Sequence, residues 1–381
     1  MDQIKNYRTT ARLVLGAALA VNLLAVPPAS HAATYSYTDL NPNGFTQSLG
    51  YGISGNQEVG YGYSPATGNN HALLWSSTAS SVVDLNPNGF DRSDAWGSVG
   101  NQQVGRGYGS ATGFNDHALL WSGTPSSFVD LNPSGFTYSL ASGTSGSRQI
   151  GFGYTSPNGN SDALLWAGTA SSVVDLNPSG FTGSSGSGIS GNQQVGYGYS
   201  PANGWNHALL WSGSASSVVD LHPSGFRESY CNGISGNQQI GEGYGPQLGP
   251  HALLWSGAAN SVVDLNPNGF TQSFAKGTSG NQQVGYGVPA APSQYSYNTH
   301  ALLWSGSASS VVDLHSFLSS DYGVSDAEGI DGNGNVIGYA TYIPTGQYHT
   351  ILWTLVPEPG TETLIVLGAI ALLLRKRCGL E

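Results

Sequence analysis

Cysteine and charge are both scarce in this chain. Two of its 381 residues are cysteines, and charged residues make up 9% of the sequence. Cys231 lies in the body of the chain and Cys378 in its terminal tail, so no disulfide framework is available to hold the fold together. The stability of the chain must therefore come from buried surface.

Basic residues are few and are concentrated at the two ends of the chain. Between residues 34 and 356 the sequence has five Lys and Arg residues against eighteen Asp and Glu residues. A protein that binds nucleic acid needs a basic surface to pair with the phosphates. The acidic body of this chain therefore argues against nucleic acid as a partner.

The composition also disfavours helices, because glycine is abundant. There are 55 glycines, and aromatic residues reach 10% of the sequence. Glycine costs a helix roughly 1 kcal/mol per position relative to alanine. The accompanying Ser, Asn, Val and Tyr residues favour turns and strands. The composition therefore predicts an all-β fold.

One unit of about 45 residues recurs seven times. Its HALLW block, degraded to HTILW in the last unit, ends at Trp75, Trp121, Trp166, Trp211, Trp255, Trp304 and Trp353. A DLNPxGF block, altered to DLHSF in the last unit, and a turn of the type SGNQQ give the same count. Four short strands fit each unit, as in the blade of a β-propeller. In the first unit we expect them at residues 48–54, 57–63, 71–75 and 81–85.

The chain begins and ends in the middle of a unit. Residues 35–40 match a fourth strand, and the last unit, residues 330–355, stops after its third strand. The first strand can therefore complete the last blade and close the ring, which leaves no long unpaired edge. We predict a seven-bladed β-propeller over residues 34–355, with a solenoid or another β-repeat array as the alternative. Gly60 and Gly62 share one face of the second strand, which predicts the close approach of a neighbouring sheet.

The N-terminus has the three regions of a secretory signal peptide. Basic residues come first, then the apolar run 13–26, then the small residues Ser30 and Ala32. This pattern predicts a signal peptide over residues 1–33, cleaved after Ala32 or Ala33. An N-terminal membrane anchor is the alternative.

The C-terminus, residues 356–381, carries three ordered elements. They are the motif Val356, Pro357, Glu358 and Pro359, the apolar stretch 364–374, and the basic tail Arg375, Lys376 and Arg377. Together they resemble the PEP-CTERM sorting signal of Gram-negative bacteria. The resemblance implies transient insertion of a short apolar helix into the membrane, cleavage by an exosortase, and delivery to the cell surface or extracellular matrix. A permanent tail anchor is the alternative, although eleven apolar residues are fewer than the roughly 17 to 25 that a spanning helix needs.

The repeated unit resembles the extracellular HAF-repeat family, whose units carry a DLG block, a GQVVG strand and a His-Ala-Phe-Leu-Trp block. This chain departs from that pattern at two points. Leucine replaces phenylalanine after His-Ala, and DLNPxGF replaces the glycine-rich DLG block. The resemblance implies an exported repeat protein, and it implies no catalytic residues.

Polar residues recur at the start of the HALLW block. Histidine stands there in six units and Asp162 in the other; the histidines are His71, His117, His207, His251, His300 and His349. A ring of metal ligands is conceivable. We favour structural hydrogen bonds, in which the histidines satisfy backbone groups and the aspartates of the Asp-Leu pairs accept turn N–H groups. We expect no metal and no cofactor.

Other patterns that carry chemistry are incomplete. The run that begins at Asp331 is similar to the start of a calcium loop, but Val336 and Tyr342 stand where that loop needs Gly and Glu, so we expect a plain turn. No G-x-S-x-G motif is present, and Cys231 has no distinctive histidine nearby. The non-repeated acids Glu58, Asp91, Asp94, Glu228, Glu242, Asp326 and Glu328 could converge in a cleft. We favour ordinary solvated roles for them, because the units look nearly uniform.

The connections between the second and third strands vary from unit to unit, and all emerge on one face. Local function is expected there. Their aromatic residues beside Asn and Ser groups suit stacking on sugars, although packing under their own loops would also explain them. These residues are Phe114, Trp205, Tyr295, Tyr297 and Tyr348.

These observations predict an exported binding or scaffolding module of the cell surface or extracellular matrix, with an extracellular polysaccharide as a candidate partner. The export machinery and an exosortase are the other partners that the two terminal signals imply. The alternative is a secreted glycan-active hydrolase or lyase on a propeller scaffold, which the acidic body and the aromatic loops would suit.

Overall fold

The computed structural model describes residues 34–156, 159–245, 249–290 and 298–356. Within them the chain forms seven four-stranded antiparallel sheets around a central channel. The prediction of an all-β, seven-bladed propeller is confirmed. No helix in these ranges is long and apolar enough to cross a membrane.

The strands follow one another in chain order. They are β1 (Tyr35–Asp39), β2 (Gln47–Ser54), β3 (Gln57–Ser64), β4 (Asn69–Trp75), β5 (Val83–Asp84), β6 (Arg92–Val99), β7 (Gln102–Tyr108), β8 (His117–Trp121), β9 (Val129–Asp130), β10 (Tyr138–Thr144), β11 (Gln149–Tyr154), β12 (Ser161–Trp166), β13 (Val174–Asp175), β14 (Ser184–Ser190), β15 (Gln193–Ser200), β16 (Trp205–Trp211), β17 (Val219–Asp220), β18 (Glu228–Ser235), β19 (Gln238–Tyr244), β20 (Pro250–Trp255), β21 (Val263–Asp264), β22 (Phe270–Ser279), β23 (Gln282–Pro289), β24 (His300–Trp304), β25 (Val312–Asp313), β26 (Tyr322–Ile330), β27 (Val336–Tyr342) and β28 (Gln347–Leu355). Blade 1 is β2 to β5, and the next five blades follow in sets of four. Blade 7 is β26, β27, β28 and β1.

Short 3₁₀ helices link strands in six of the blades and lead into blade 7. They are Ala79–Ser81, Ser110–Thr112, Pro125–Ser127, Ala170–Ser172, Ala215–Ser217, Ala259–Ser261, Ala308–Ser310 and Leu314–Phe317. The fourth strand of blade 1 is shorter than the predicted range 81–85, because a 3₁₀ turn occupies residues 79–81. The outermost strands of blades 1 to 6 are thus only two residues long, which limits edge-to-edge pairing with other chains.

The ring closes through the first strand of the described chain. β1 pairs antiparallel with β28, with Tyr35 opposite Leu355 and Asp39 opposite Ile351. The closure that the phase of the repeat predicted is confirmed.

The third strand of each blade is covered on both faces. In blade 1, Leu73 and Trp75 belong to one hydrophobic cluster with Ile337 and Leu352 of blade 7. Ala72 and Leu74 belong to another cluster with Leu119 and Trp121 of blade 2. All seven tryptophans of the repeated block are fully buried. Radial packing of the blades therefore uses both faces of the HALLW strand.

The glycines of the second strand do not serve the purpose that we expected. A Cβ on Gly60 would lie 1.9 Å from the carbonyl oxygen of Leu49, and a Cβ on Gly62 would lie 2.7 Å from a methyl group of Leu73. Both contacts are within blade 1. These glycines therefore make room for neighbouring strands of the same sheet and not for the neighbouring blade.

Candidate functional site

Every first strand contains a β-bulge at the same position. The register skips one residue in each blade, between Gly50 and Gly52 in the first and between Ala327 and Gly329 in the last. The skipped residues are Tyr51, Trp96, Ser142, Ser187, Asn232, Lys276 and Glu328. We call these seven residues the bulge ring. The residue type at this position varies among the blades, with serine in blades 3 and 4 and a different residue in each of the others. The residue after it is always glycine.

Those glycines explain how the bulges come together. A Cβ on Gly52 would lie 2.7 Å from the carbonyl oxygen of Trp96 in the next blade, and a Cβ on Gly277 would lie 2.7 Å from that of Glu328. A Cβ on Gly329 would lie 2.8 Å from the carbonyl oxygen of Tyr51, which completes the circle. The first strands thus approach one another closely at the axis only because these positions lack a side chain.

The bulge ring lines a cavity of about 330 Å³ in the channel, together with Phe152, Ser185, Gly186 and Tyr197. Phe152 and Tyr197 lie in their second strands on the side of the bulges that leads to the connections with the third strands. The cavity therefore lies on the side of the bulges nearer the face that carries the variable loops, which we call the loop face.

A second cavity of about 180 Å³ continues the channel toward the opposite face. It shares Ser142 and Ser187 with the first cavity. Its remaining lining comes from the residues after each bulge, such as Gly52 with Ile53 and Gly277 with Thr278. This half of the channel is nearly the same in every blade.

Charged groups gather on the side of the ring formed by blades 5, 6 and 7. Asn232 donates a hydrogen bond to Glu242, and Tyr339 donates one to Asp326 (2.9 Å). Lys276 lies between blades 5 and 7 and carries the positive charge that faces Glu242 and Glu328. Three acids thus surround one lysine.

The surroundings shift the pKa values of this cluster. Burial, partly offset by Lys276, raises the pKa of Glu328 to about 7. Burial also raises the pKa of Glu242, again against the opposing effect of Lys276. Burial lowers the pKa of Lys276, but Glu242 and Glu328 outweigh it, so that pKa lies above its ordinary value. Near neutral pH Lys276 is therefore charged, and the carboxyl of Glu328 is partly ionised.

Aromatic groups occupy the side of the ring formed by blades 1 and 2. Tyr51 stacks on Tyr61 with ring centroids 5.7 Å apart. The guanidinium of Arg106 lies 5.1 Å from the ring centre of Trp96, and it is held there by a 2.9 Å hydrogen bond to the buried Asp94. The bulge ring therefore has a charged side and an aromatic side.

The predicted loop aromatics lie apart from one another. Phe114 is 56% exposed and packs on Tyr108, and Trp205 is 39% exposed beneath the guanidinium of Arg227. Tyr348 is 39% exposed and packs edge-on against Tyr339, which links it to the charged side of the channel. Tyr295 and Tyr297 lie outside the described residues.

The two terminal signals lie almost entirely outside the described residues. Ala32, Ala33, Pro357, Glu358, Pro359, Arg375, Lys376 and Arg377 are all beyond them. Val356 is described, and its N–H donates to the carbonyl oxygen of Thr34 (2.9 Å).

The repeated histidines and aspartates bind each other. In six blades the histidine Nδ1 lies 2.6–2.8 Å from an Asp Oδ2, as in His71 with Asp84 and His349 with Asp39. The other oxygen of each Asp accepts the N–H of the residue two positions on, as expected. The expected backbone partner for the histidines was wrong, because the imidazole bonds to this carboxylate. Among the described residues, no group of three or more His, Cys, Asp and Glu side chains could hold a metal ion.

Other predicted features have local roles. Asp331 accepts the N–H groups of Asn333 (2.8 Å) and Asn335 (2.9 Å), which makes the plain turn that we expected. Cys231 is buried, and burial raises the pKa of its thiol. Glu58 accepts a hydrogen bond from the N–H of Ser77 (2.8 Å). At the equivalent position of the next blade, Gln103 accepts one from the N–H of Gly123.

The view that the units are nearly uniform was wrong at the bulge position. Of the non-repeated acids, Glu242, Asp326 and Glu328 come together around Lys276, while Asp94 pairs with Arg106. The sequence does contain a signal for the ring. In the seven aligned units one variable residue always precedes the same glycine, as in Tyr51-Gly52 and Lys276-Gly277.

Comparison with known proteins identifies the fold and no family. No family model matches the sequence. No curated protein matches it either.

Solved structures match at the level of the fold. A mutant puromycin hydrolase in complex with PGG gives a TM-score of 0.53 at 10% identity, covering 82% of this chain and 54% of that one. A puromycin-hydrolyzing peptidase from Mycobacterium tuberculosis gives a TM-score of 0.51 at 12% identity, covering 83% of this chain and 55% of that one. The chain thus spans about half the length of these enzymes. The propeller domain of the Trilobed protease from Pyrococcus furiosus gives a TM-score of 0.50 at 10% identity, covering 81% of this chain and 94% of that one. That domain is described as having an open velcro topology. Identities this low support the propeller scaffold alone.

Proposed function

We propose that this protein is an exported binding module that takes a segment of an extracellular polysaccharide into the mouth of its channel. The observation that carries the proposal is the bulge ring, where seven side chains of six different types line one cavity on an otherwise repetitive scaffold. Aromatic faces beside amide, hydroxyl and carboxyl groups suit a sugar ring, which has apolar faces and polar edges.

The location of the protein is part of the same proposal. The signal peptide would be removed after Ala32 or Ala33, and an exosortase would recognise the motif from Val356 to Pro359 and the basic tail. In this account the C-terminal apolar segment enters the membrane only transiently. The propeller is then released to the cell surface or the extracellular matrix, where polysaccharide is available.

The charge of the body limits the class of polysaccharide. Five basic residues against eighteen acidic ones over residues 34–356 give the propeller a net charge of 5 − 18 = −13 with neutral histidines. A polyanion such as polygalacturonate would be repelled. The proposal is therefore for a neutral or amine-bearing polysaccharide.

A glycan array probed with the purified full chain tests this function. Binding to neutral or amine-bearing oligosaccharides, with no release of reducing ends on prolonged incubation, is the expected result. Binding confined to uronic acid polymers, or no glycan binding at all, would contradict it.

A catalytic role is the second candidate, and the carboxyl of Glu328 in the channel cavity favours it. A carboxyl with a pKa of about 7 can donate a proton at neutral pH, as the general acid of a glycosidase must. Release of reducing ends by the protein, abolished in Glu328→Gln while binding persists, would favour this candidate over a purely binding role.

A further inference from the structure

A third cavity lies on the loop face, between blades 3 and 4. It has a volume of about 270 Å³ and is lined by Asn160, Ser161, Thr182, Tyr197, Tyr199 and Asn206, with Gly183 at its base. We call it the blade 3–4 groove. No residue of this lining carries a formal charge, which distinguishes the groove from the charged side of the bulge ring.

The groove exists because of one glycine. Gly183 occupies the position at which five of the other six blades place a long side chain, namely Gln47, Arg92, Tyr138, Glu228 and Gln272, and at which blade 7 has Val324. A Cβ on Gly183 would already lie 3.1 Å from the Cβ of Asn160 and 3.2 Å from the carbonyl oxygen of Ser161. A longer side chain at this position would fill the space between the two blades.

The equivalent space between blades 5 and 6 is filled. There the Cγ of Gln272 lies 2.5 Å from the place where a Cβ on Gly249 would be, so the glutamine side chain packs directly against the loop of blade 5. The two sites have the same position in the repeat. They differ at residue 183 or 272 and at the facing residue, which is Asn160 in blade 3 and Gly249 in blade 5.

The groove and the channel cavity share one wall residue, Tyr197. Its ring packs edge-on against Tyr230 at 4.9 Å, and the Tyr230 hydroxyl accepts a 2.9 Å hydrogen bond from Asn206. The shared wall is thereby fixed in place, and the groove and the channel cavity lie on either side of it.

We infer that the blade 3–4 groove is a subsite for a neutral, hydroxyl-rich sugar unit of the same chain whose next unit enters the channel. Amide and hydroxyl groups from Asn160, Ser161, Thr182 and Asn206 match sugar hydroxyls as donors and acceptors. Tyr199, which is 44% exposed, offers a ring face for stacking. This inference rests on the proposed function and adds the class of the neighbouring sugar.

The test compares Gly183→Gln with its mirror change Gln272→Gly. Affinities for cellohexaose, mannohexaose and xylohexaose are measured by titration calorimetry on the full chain, and thermal unfolding is followed for each variant. For the hexasaccharide that binds wild type best, Gly183→Gln should weaken binding about tenfold or more, which corresponds to 1.4 kcal/mol per factor of ten. Gln272→Gly, which opens a space far from the groove, should leave the affinity unchanged.

Tyr199→Ala serves if the Gly183→Gln protein does not fold, since it removes the stacking face without adding bulk. It should weaken binding of the hexasaccharide about fivefold. Binding of the corresponding disaccharide, which is short enough to occupy the channel cavity alone, should be less affected. If Gly183→Gln folds and binds as wild type does, or if Tyr199→Ala has no effect, the groove is not a subsite although the channel proposal stands. If wild type binds none of the three hexasaccharides but binds amine-bearing oligosaccharides on the array, the inference of a neutral subsite is wrong. If it binds none of these glycans, the proposed function itself is wrong.

Discussion

The two halves of the channel differ in whether their lining residues repeat from blade to blade. Toward the hairpin turns the lining repeats from blade to blade, with glycines such as Gly52 and Gly277 packed against the backbone of the next blade. Toward the loop face, one residue away along the same strands, Tyr51 and Lys276 have unlike chemistry. Repeated residues build the ring, and the departures from the repeat supply the chemistry. The predictions below test that division.

Two tryptophans test it most strongly. Trp121 belongs to the repeated block and is fully buried, whereas Trp96 belongs to the bulge ring and is half-buried. Trp121→Ala should lower the free energy of unfolding by about 3–5 kcal/mol through the cavity that it leaves. Trp96→Ala should cost about 1 kcal/mol. Equal losses in denaturant unfolding would contradict the division.

Two small residues at adjacent positions of the repeat, Gly52 in blade 1 and Ser187 in blade 4, give a second comparison. Gly52→Ala places a methyl group 2.7 Å from the carbonyl oxygen of Trp96, so it should destabilise the protein by about 1–3 kcal/mol. Ser187→Ala, in the bulge ring, should change stability by less than about 0.5 kcal/mol. Thermal unfolding of both variants checks this, and a neutral Gly52→Ala would show that the close approach at the axis is not needed.

Blade 3 lacks the His–Asp pair of the other six blades, and adding it should stabilise the protein. Asp162 stands where six blades have histidine, and burial together with the nearby Asp175 raises the pKa of its carboxyl. Asp162→His should restore the bond to Asp175 and stabilise the protein by about 1 kcal/mol at pH 7. Asp162→Asn, which only removes the like charge, should gain less. Equal unfolding free energies for the two variants would argue against a stabilising role for the His–Asp pairs.

The raised pKa of Glu328 gives an expected effect on stability that depends on pH. In the unfolded chain this carboxyl ionises near its ordinary pKa of 4.5, and in the folded protein near about 7. The folded state is therefore progressively disfavoured as the pH rises from 4.5 to about 7, and the penalty is constant above that. Glu328→Gln removes it.

The measurement is the difference in unfolding free energy between Glu328→Gln and wild type as a function of pH. Relative to wild type, the variant should gain up to about 3 kcal/mol between pH 4.5 and 7.5, because each unit of pKa difference is worth about 1.4 kcal/mol. Glu228→Gln, which removes a carboxylate outside the channel lining, is the control. A difference that does not vary with pH would mean that Glu328 is not buried in the channel as described.

The fold could be predicted in detail from the sequence, because it depends on short-range patterns that repeat. The period, the HALLW strand and the phase of residues 35–40 were enough to predict seven blades and their closure. The bulge ring could not be derived in the same way. Simple alternation puts Leu49, Tyr51 and Ile53 on one face of a strand, but the bulge shifts the register so that Leu49 pairs with Tyr61 and Gly52 with Val59.

The grouping of the charged residues also depends on the folded ring. Glu242, Lys276 and Glu328 lie on three different blades and are separated by 34 and 52 residues along the chain. Only radial packing brings them to one cavity, so linear spacing could list them as candidates and no more. The blade 3–4 groove has the same origin, since Gly183 opens a space whose other wall belongs to the preceding blade.

The central claim is that the bulge ring, and not the exposed loop aromatics, binds the ligand. Its most direct test is the affinity of Trp96→Ala and Phe114→Ala for the oligosaccharide that binds wild type best, measured on folded protein in parallel. We predict that Trp96→Ala weakens binding about tenfold or more and that Phe114→Ala leaves it within about twofold. Unchanged binding in Trp96→Ala, together with a large loss in Phe114→Ala, would contradict the account.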